Sequence, residues 1–219
     1  MPFLGGISAG ELEVSPDGQW VTYTTFPDSN LWRSKLDGSD RLQLTFSQVN
    51  AHEPRWSPDG KQILFTDVPR RMFIVPADGG SLQQVMPKVE DPNTEVGAGF
   101  WASDGSSIVF AMFSKETHAI YRLNLKTREV SKLPGSDGLG GPRVSRDGRY
   151  LISHSARNKR MLYDFQKQQW SHFTDEGEYW TTSWSHDSKS AYMYHKSGDQ
   201  SAELVRISVV GFQKLGTPS

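Results

Sequence analysis

The chain of 219 residues carries 24 Lys and Arg residues against 25 Asp and Glu residues, a formal net charge of −1 at pH 7. This balance provides no electrostatic basis for binding nucleic acid or an acidic membrane surface. No apolar run approaches the roughly 18 residues of a membrane-spanning helix, and the first residues lack the basic and apolar regions of a secretion signal. The sequence contains no cysteine, which excludes disulfides and thiolate metal sites. We therefore expect no nucleic-acid partner and no membrane insertion for this domain.

One short motif recurs along the whole chain and sets its organisation. Its clearest copy is PRWSPDG at residues 54–60, and the other copies are centred on Asp17, Asp104, Asp147 and Asp187. Successive turn aspartates, meaning the Asp of each copy, lie 40 to 45 residues apart. A repeat period in the low forties is typical of four-stranded propeller blades. The sequence therefore predicts an all-β fold, a five-bladed β-propeller of four-stranded antiparallel blades around a central channel.

Five repeats use nearly the entire chain, so we expect a single propeller domain over residues 1–219, with blades at approximately 8–46, 51–87, 96–134, 139–174 and 178–216. Phe3 precedes Asp17 by the same 14 residues that separate Thr45 from Asp59, which aligns the first residues with the end of a fourth strand. We expect residues 2–5 to complete the last blade and close the ring, hiding a sheet edge in a monomer. The alternative is the remnant of a missing blade, in an inactive fragment of a larger propeller.

Each repeat reads as four short strands, named a to d. Strand a precedes the motif, the Asp-Gly pair forms a tight turn, and an apolar strand b follows. The apolar run at 63–65 indicates a sheet that is covered on both faces, and no helical periodicity longer than a turn is present. In chain order the predicted strands include 19–25, 31–36, 41–46, 52–57, 61–66, 72–76, 82–86, 108–113, 119–125, 130–133, 150–155, 161–165, 170–173, 191–195, 203–209 and 212–215.

Three tryptophans occupy one position at the end of strand a: Trp56, Trp101 and Trp184. Their simplest interpretation is apolar core between neighbouring blades rather than a ligand cage. The Asp and Gly residues of the motif are likewise expected to set turn geometry. No catalytic residue is assigned among them.

The motif at 56–60 and the Leu-Thr-type strand at 41–45 resemble the WD-like repeat of TolB-type β-propellers, over essentially the whole chain. The last two copies depart from this pattern, since Arg146 and His186 replace Pro and Ser188 replaces Gly. More narrowly, residues 2–9 and 31–35 resemble the propeller sensor region of bacterial winged-helix regulators. The resemblance implies a non-enzymatic binding or scaffold propeller, either a sensor or a protein-interaction domain. It also implies a periplasmic location, with the cytoplasm as the alternative.

The inner strands place charged residues at matching positions. Glu11 and Glu53 lie six residues before their turn aspartates, and Glu13, Arg55 and Arg143 lie four before. Because residues two apart on a strand share one face, we expect these five side chains to point together into the channel or its rim. They would form a pocket for a small polar or charged ligand, or hold a cation between Glu11 and Glu53. The alternative is a water-filled channel whose charges pair off.

The longer connections, d to a and b to c, emerge at one end of the propeller, where binding tends to occur. This loop end is the expected face for a protein partner. No histidine there has zinc-ligand spacing, and the neighbours His52 and Glu53 should face opposite ways on a strand, so neither a metal nor a cofactor is expected. The candidate partner-face residues are His52, Arg70, Arg71, His118, His154, Tyr179, Trp180 and His195.

One segment matches the Gly-x-Ser-x-Gly signature of serine hydrolases, at residues 6–10. That signature requires a preceding strand and a following helix, whereas a strand is predicted to follow here, so Ser8 is not expected to be a nucleophile. A non-enzymatic binding propeller is the preferred function. The alternative is a hydrolase or lyase that uses a channel carboxylate, Glu11 or Glu53, as general acid or base.

Overall fold

The protein forms five antiparallel sheets arranged as a five-bladed β-propeller. The computed structural model describes residues 8–46, 49–67, 71–86, 93–115, 118–155, 159–174, 177–196 and 202–209, and the backbone of 214–215. Every regular element in these ranges is a strand. None of the described segments forms a helix that could cross a bilayer. The predicted fold class is confirmed.

The first two blades have the same simple topology, in which consecutive strands are hydrogen-bonded neighbours. Blade 1 contains β1 (Ala9–Val14), β2 (Trp20–Thr25), β3 (Leu31–Lys35) and β4 (Leu42–Gln43). Blade 2 contains β5 (Ala51–Trp56), β6 (Gln62–Asp67), β7 (Arg71–Pro76) and β8 (Gln83–Gln84). The outermost strands of these blades are shorter than the sequence predicts, at two residues each.

Blade 3 differs in its inner strand, which is interrupted into two short pieces that both pair with β11. It contains β9 (Glu95–Val96), β10 (Phe100–Trp101), β11 (Ser107–Phe113), β12 (His118–Asn124) and β13 (Val130–Lys132). Blade 4 contains β14 (Leu139–Val144), β15 (Tyr150–Ser155), β16 (Arg160–Asp164) and β17 (Gln169–His172). Blade 5 contains β18 (Glu178–Trp184), β19 (Ser190–Lys196), β20 (Ala202–Ser208) and β21 (Lys214–Leu215).

The repeated motif forms a turn that satisfies its own hydrogen bonds. In blade 2 the Ser57 hydroxyl donates to Asp59 Oδ1 over 2.6 Å and accepts the Gln62 N–H over 2.9 Å. The Asp59 carboxylate also accepts the Lys61 N–H, and Gly60 takes the left-handed conformation with φ of 70°. These bonds hold the pKa of Asp59 below its usual value. The motif aspartates therefore have the structural role that the sequence predicts.

The tryptophans of the inner strands lie between blades, as predicted. Trp56 and Trp101 are buried in separate inter-blade clusters, and Trp184 packs against a third. Each indole N–H donates to a backbone carbonyl of the preceding blade, with N to O distances of 3.2, 3.1 and 2.9 Å respectively. The three accepting residues are Glu13, Arg55 and Arg143. The indoles thus fix each inner strand to the one before it.

The predicted pairing of residues 2–5 with the last blade lies outside the described residues. Ser8 is described, and its carbonyl accepts the N–H of Phe26 over 2.9 Å. The strand β1 follows Ser8 directly. This segment has the strand after the serine that the sequence predicts, and not the helix of a hydrolase elbow.

Candidate binding channel

A β-bulge recurs on the inner strands, six residues before the turn aspartate. Glu11, Glu53 and Gly141 adopt left-handed φ values of 52°, 51° and 55° at this position, and the pairing register shifts at each. In blade 5 the register shifts at the equivalent point, between Trp180 and Thr182. Such bulges bend a strand and redirect its side chains. The sequence analysis assumed that side chains alternate regularly between the two faces of each inner strand, and this alternation therefore does not hold at the bulge.

The upper level of the channel, at the loop end, is a cavity of ≈ 490 Å³ that we call the channel mouth. Its charged and titratable lining comprises Glu11, His52, Glu53, Asp67 and Arg143. The Glu11 carboxylate reaches from blade 1 to blade 2, where Oε2 accepts the Glu53 N–H over 2.8 Å and Oε1 lies 3.4 Å from His52 Nδ1. His52 and Glu53 both line the mouth because the bulge breaks their alternation. A cation held by Glu11 and Glu53 stays a prediction.

The mouth wall also contains an internal ion pair. Asp67 is buried, accepts the Asn50 N–H over 3.1 Å and pairs with the Arg71 guanidinium. The guanidinium of Arg71 also lies over the ring of Phe73, with 5.3 Å between Cζ and the ring centroid. Arg71, a predicted partner-face residue, is therefore fixed by neighbours within its own blade.

The lower level is the channel waist, formed by the residues four before each turn aspartate: Glu13, Arg55, Phe100, Arg143 and Ser183. The Arg55 and Arg143 guanidinium carbons lie 4.9 and 4.8 Å from the centroid of the Phe100 ring. Below the waist, a cavity of ≈ 440 Å³ opens to the turn end and is lined by residues of all five blades, including Glu13, Arg55 and Phe100. The five predicted channel residues are thus divided between two levels, with Arg143 adjoining both.

The electrostatics of the waist depend on one half-buried carboxyl group, that of Glu13. Burial raises the pKa of Glu13 to about 7, against the opposing effects of the Arg55 charge and of a 2.8 Å hydrogen bond from the Trp56 N–H. Burial also lowers the pKa of Arg143, and the neighbouring charge of Arg55 lowers it further. A carboxyl group with a pKa near 7 is only partly ionised at neutral pH. Glu13 is therefore an incomplete counter-charge for the two arginines.

Two of the predicted partner-face histidines are packed into the channel wall near the mouth, His118 between blades 3 and 4 and His154 within blade 4. The His118 ring packs edge-on against Phe113, with 4.6 Å between ring centroids, and its Nε2 atom is buried without a hydrogen-bond partner among the described residues. The His154 ring lies against Gly141, where an added Cβ would collide with it. Burial lowers the pKa of His154, and the charge of Arg160 adds to this effect. Both histidines are half-buried in the channel wall, which leaves little of either ring for a partner to contact.

The exposed part of the predicted partner face lies on blade 5. Trp180 and Tyr194 are paired across β18 and β19, and Tyr194 and Leu204 across β19 and β20, which makes one row of exposed side chains. We call these three residues the blade-5 apolar row. The adjacent Met193 packs on the other side, against blade 4, so the row faces away from blade 4. The predicted residues Tyr179 and His195 stack on each other beside it, with ring centroids 4.7 Å apart.

Some predicted features fall outside this description or are not found within it. Arg70 lies outside the described residues. Among the residues with described positions, no group of three or more His, Asp or Glu side chains is close enough to hold a metal ion. Sequence reasoning missed Tyr194 and Leu204, although the predicted register of strands b and c in the last repeat could have aligned them.

Comparison with known proteins agrees with this geometry. The family model described as the TolB beta propeller domain matches residues 12–218. The chain belongs to the TolB β-propeller family. The TolB-type resemblance seen in the sequence is thereby confirmed, and the bacterial relatives agree with it.

The relatives of this TolB-family chain include enzymes and proteins named as TolB. Dipeptidyl-peptidase 5 of Porphyromonas gingivalis is 36% identical over 81 residues, which is 33% of this chain and 10% of that protein. The structure of a putative TolB from Agrobacterium tumefaciens has a TM-score of 0.75 at 16% identity and covers 94% of this chain and 79% of its own. An oligogalacturonate lyase in complex with manganese has a TM-score of 0.70 at 15% identity, covering 92% and 65% respectively. At such identities the structural matches show the fold alone, and the chain spans half or less of its curated relatives.

Proposed function

We propose that this TolB-family propeller is a non-enzymatic binding domain that holds a protein partner at the loop end, with a polar segment of that partner in the channel mouth. The observation that carries the proposal is the convergence of charged side chains from blades 1, 2 and 4 on one cavity of ≈ 490 Å³. Following the sequence resemblance, the finer proposal is a sensor role like that of the propeller region in winged-helix regulators. A small polar ligand in the mouth is the simpler form of the same function.

The mouth suits a segment that carries both hydrogen-bond donors and acceptors. Glu53 supplies negative charge, the Arg143 guanidinium supplies positive charge, and both line the same cavity. Mixed charges of this kind favour register and specificity over bulk affinity. The blade-5 apolar row adds exposed aromatic surface, which is enriched at protein interfaces. Trp180 is 49% exposed and Tyr194 is 47% exposed, and such aromatic side chains often dominate binding energy.

The proposal is tested by selecting peptides from a random library against the purified domain and measuring their affinity by calorimetry. Glu53→Gln and Trp180→Ala are the test variants, and Glu203→Gln, an exposed carboxylate on β20, is the matched control. We expect a loss of roughly tenfold or more in affinity for each test variant and little change for the control. Selected peptides that bind all four proteins equally would contradict the assignment of the mouth and of the apolar row.

A second candidate function is catalysis in the channel, which is favoured by the raised pKa of Glu13. A carboxyl group with a pKa of about 7 can donate and accept a proton at neutral pH, as a general acid or base must. The names of two similar proteins supply the substrates to try, namely dipeptide amides and oligogalacturonate. Turnover by the wild type that is lost in Glu13→Gln but kept in Glu203→Gln would favour an enzyme. Absence of turnover on both substrates would leave binding as the function.

A further inference from the structure

We infer that the channel waist is a second ligand site, adjoining the mouth at Arg143, that binds an oxyanion of the carboxylate or phosphate class at Arg55 and Arg143. The mouth proposal concerns the contacts of a partner at the loop end. The waist site stands on a different set of observations, and its key residue, Arg55, lines the cavity at the turn end and not the mouth.

The first observation is the placement of two guanidinium groups on one aromatic ring. Arg55 and Arg143 come from blades 2 and 4, and both lie within 5 Å of the Phe100 ring centroid from blade 3. Cation–π contacts of this geometry hold arginines in place without using their N–H donors. Burial lowers the pKa of Arg143, and the charge of Arg55 lowers it further. An anion bound at the waist would stabilise the charged form of both arginines.

The second observation is that the protein itself does not supply enough acceptors. Each guanidinium donates one hydrogen bond to the carbonyl of its preceding proline, over 2.7 Å for Arg55 and 3.0 Å for Arg143. Among the residues that the structure describes, neither group has a carboxylate oxygen within 4.0 Å. Arginine carries five N–H donors, so most donors at the waist have no acceptor among the described residues. No guanidinium nitrogen of Arg55 or Arg143 is among the buried, unpartnered atoms of the described residues, so the remaining donors are open to the channel and to an anion within it.

The third observation concerns the acid that could neutralise the pair. Glu13 is the carboxyl group of the waist, and its oxygen already accepts the Trp56 N–H. Because it is only partly ionised at neutral pH, the waist retains a net positive charge. Guanidinium groups bind carboxylate and phosphate in a bidentate manner, which defines the chemical class of the ligand. The waist adjoins cavities on both sides, so such an anion can reach it.

The test is calorimetric titration of the whole protein with sodium phosphate and, separately, sodium succinate, at constant ionic strength. The variants are Arg55→Gln and Arg55→Lys, and the matched control is Arg206→Gln, an arginine that lies over Tyr192 outside the channel. We expect wild type and control to bind at least one anion with Kd of about 1 mM or tighter, Arg55→Gln to lose tenfold or more, and Arg55→Lys to fall between them. The anion that binds more tightly identifies the ligand as a phosphate or a carboxylate.

Two results would overturn the inference: no heat from either anion at 20-fold above about 1 mM, or equal affinity in wild type and Arg55→Gln. Circular dichroism and melting temperature establish that each variant is folded, and if Arg55→Gln is not, Arg55→Lys carries the comparison. Trp180→Ala, on the exposed surface of blade 5, separates the two proposals, since it should weaken peptide binding and leave anion binding within twofold. Failure of the wild type to bind any selected peptide would count against the proposed function alone, and failure to bind either anion would count against the waist site alone.

Discussion

Substitution of Glu13 by Gln tests whether the waist holds a carboxyl group that resists ionisation. The folded-state pKa of Glu13 is raised from 4.5 to about 7, so the folded protein binds a proton that the unfolded chain releases between these pH values. The contribution of Glu13 to stability is therefore complete below pH 4.5 and is lost as the pH rises through 7. A shift of this size corresponds to about 3 kcal/mol, and solvent in the channel reduces it, so we expect about 1 to 3 kcal/mol.

Glutamine preserves the acceptor for the Trp56 N–H but cannot ionise. The free energy of unfolding of the variant, relative to that of the wild type, should thus increase by about 1 to 3 kcal/mol between pH 5 and pH 8. This expected increase does not depend on how stable the variant is at pH 5. Urea unfolding followed by tryptophan fluorescence at both pH values measures this difference. Histidine titration affects both proteins alike and cancels, and Glu203→Gln, on the exposed surface of β20, should show no such pH-dependent gain. A wild-type to Glu13→Gln difference that is the same at pH 5 and pH 8 would refute the reasoning.

Three further outcomes follow from the packing. Gly148→Ala should cost about 1 to 3 kcal/mol more than Gly18→Ala in urea unfolding, because both glycines have positive φ but only the Gly148 Cβ would meet Ser103 of the neighbouring blade; equal losses would contradict this. Trp101→Phe should cost at least about 1 to 2 kcal/mol, since the Arg55 carbonyl loses its indole donor, and an unchanged midpoint would count against that bond. Light scattering should give a monomer near 24.6 kDa if residues 2–5 close the ring as the sequence predicts, whereas larger species that grow with concentration would indicate that the apolar row associates with another surface.

The parts of the fold that depend on local spacing could be predicted from the sequence. The turn at 57–60 closes on its own hydrogen bonds, and the repeat period places Trp56 and Trp101 at equivalent inter-blade positions. The ends of the strands also agree within a few residues, except for the outermost strands such as β4. These features are repeated in each blade, so a single sequence provides several copies of the same information.

The division of the channel into mouth and waist could not be predicted in this way. It depends on left-handed Glu11 and Glu53, and glutamate has no preference for that conformation; only Gly141 gave a hint. The raised pKa of Glu13 depends on burial by other blades, which no local pattern encodes. The apolar row depends on the register of three strands and on which face of the last sheet is left uncovered.

Among the described residues, the indole hydrogen bonds connect some neighbouring blades and not others. They connect the inner strands of blades 1 and 2, of blades 2 and 3, and of blades 4 and 5. Between blades 3 and 4 the equivalent position is Val144, which has no donor, and the apolar cluster around Ile120 and Leu151 joins these blades. The interface between blades 3 and 4 thus depends on apolar packing alone at the position where the three interfaces named above add a directional hydrogen bond. Because Phe100 and Arg143 lie on opposite sides of this interface, the placement of the Arg143 guanidinium on the Phe100 ring depends on how those apolar side chains fit together.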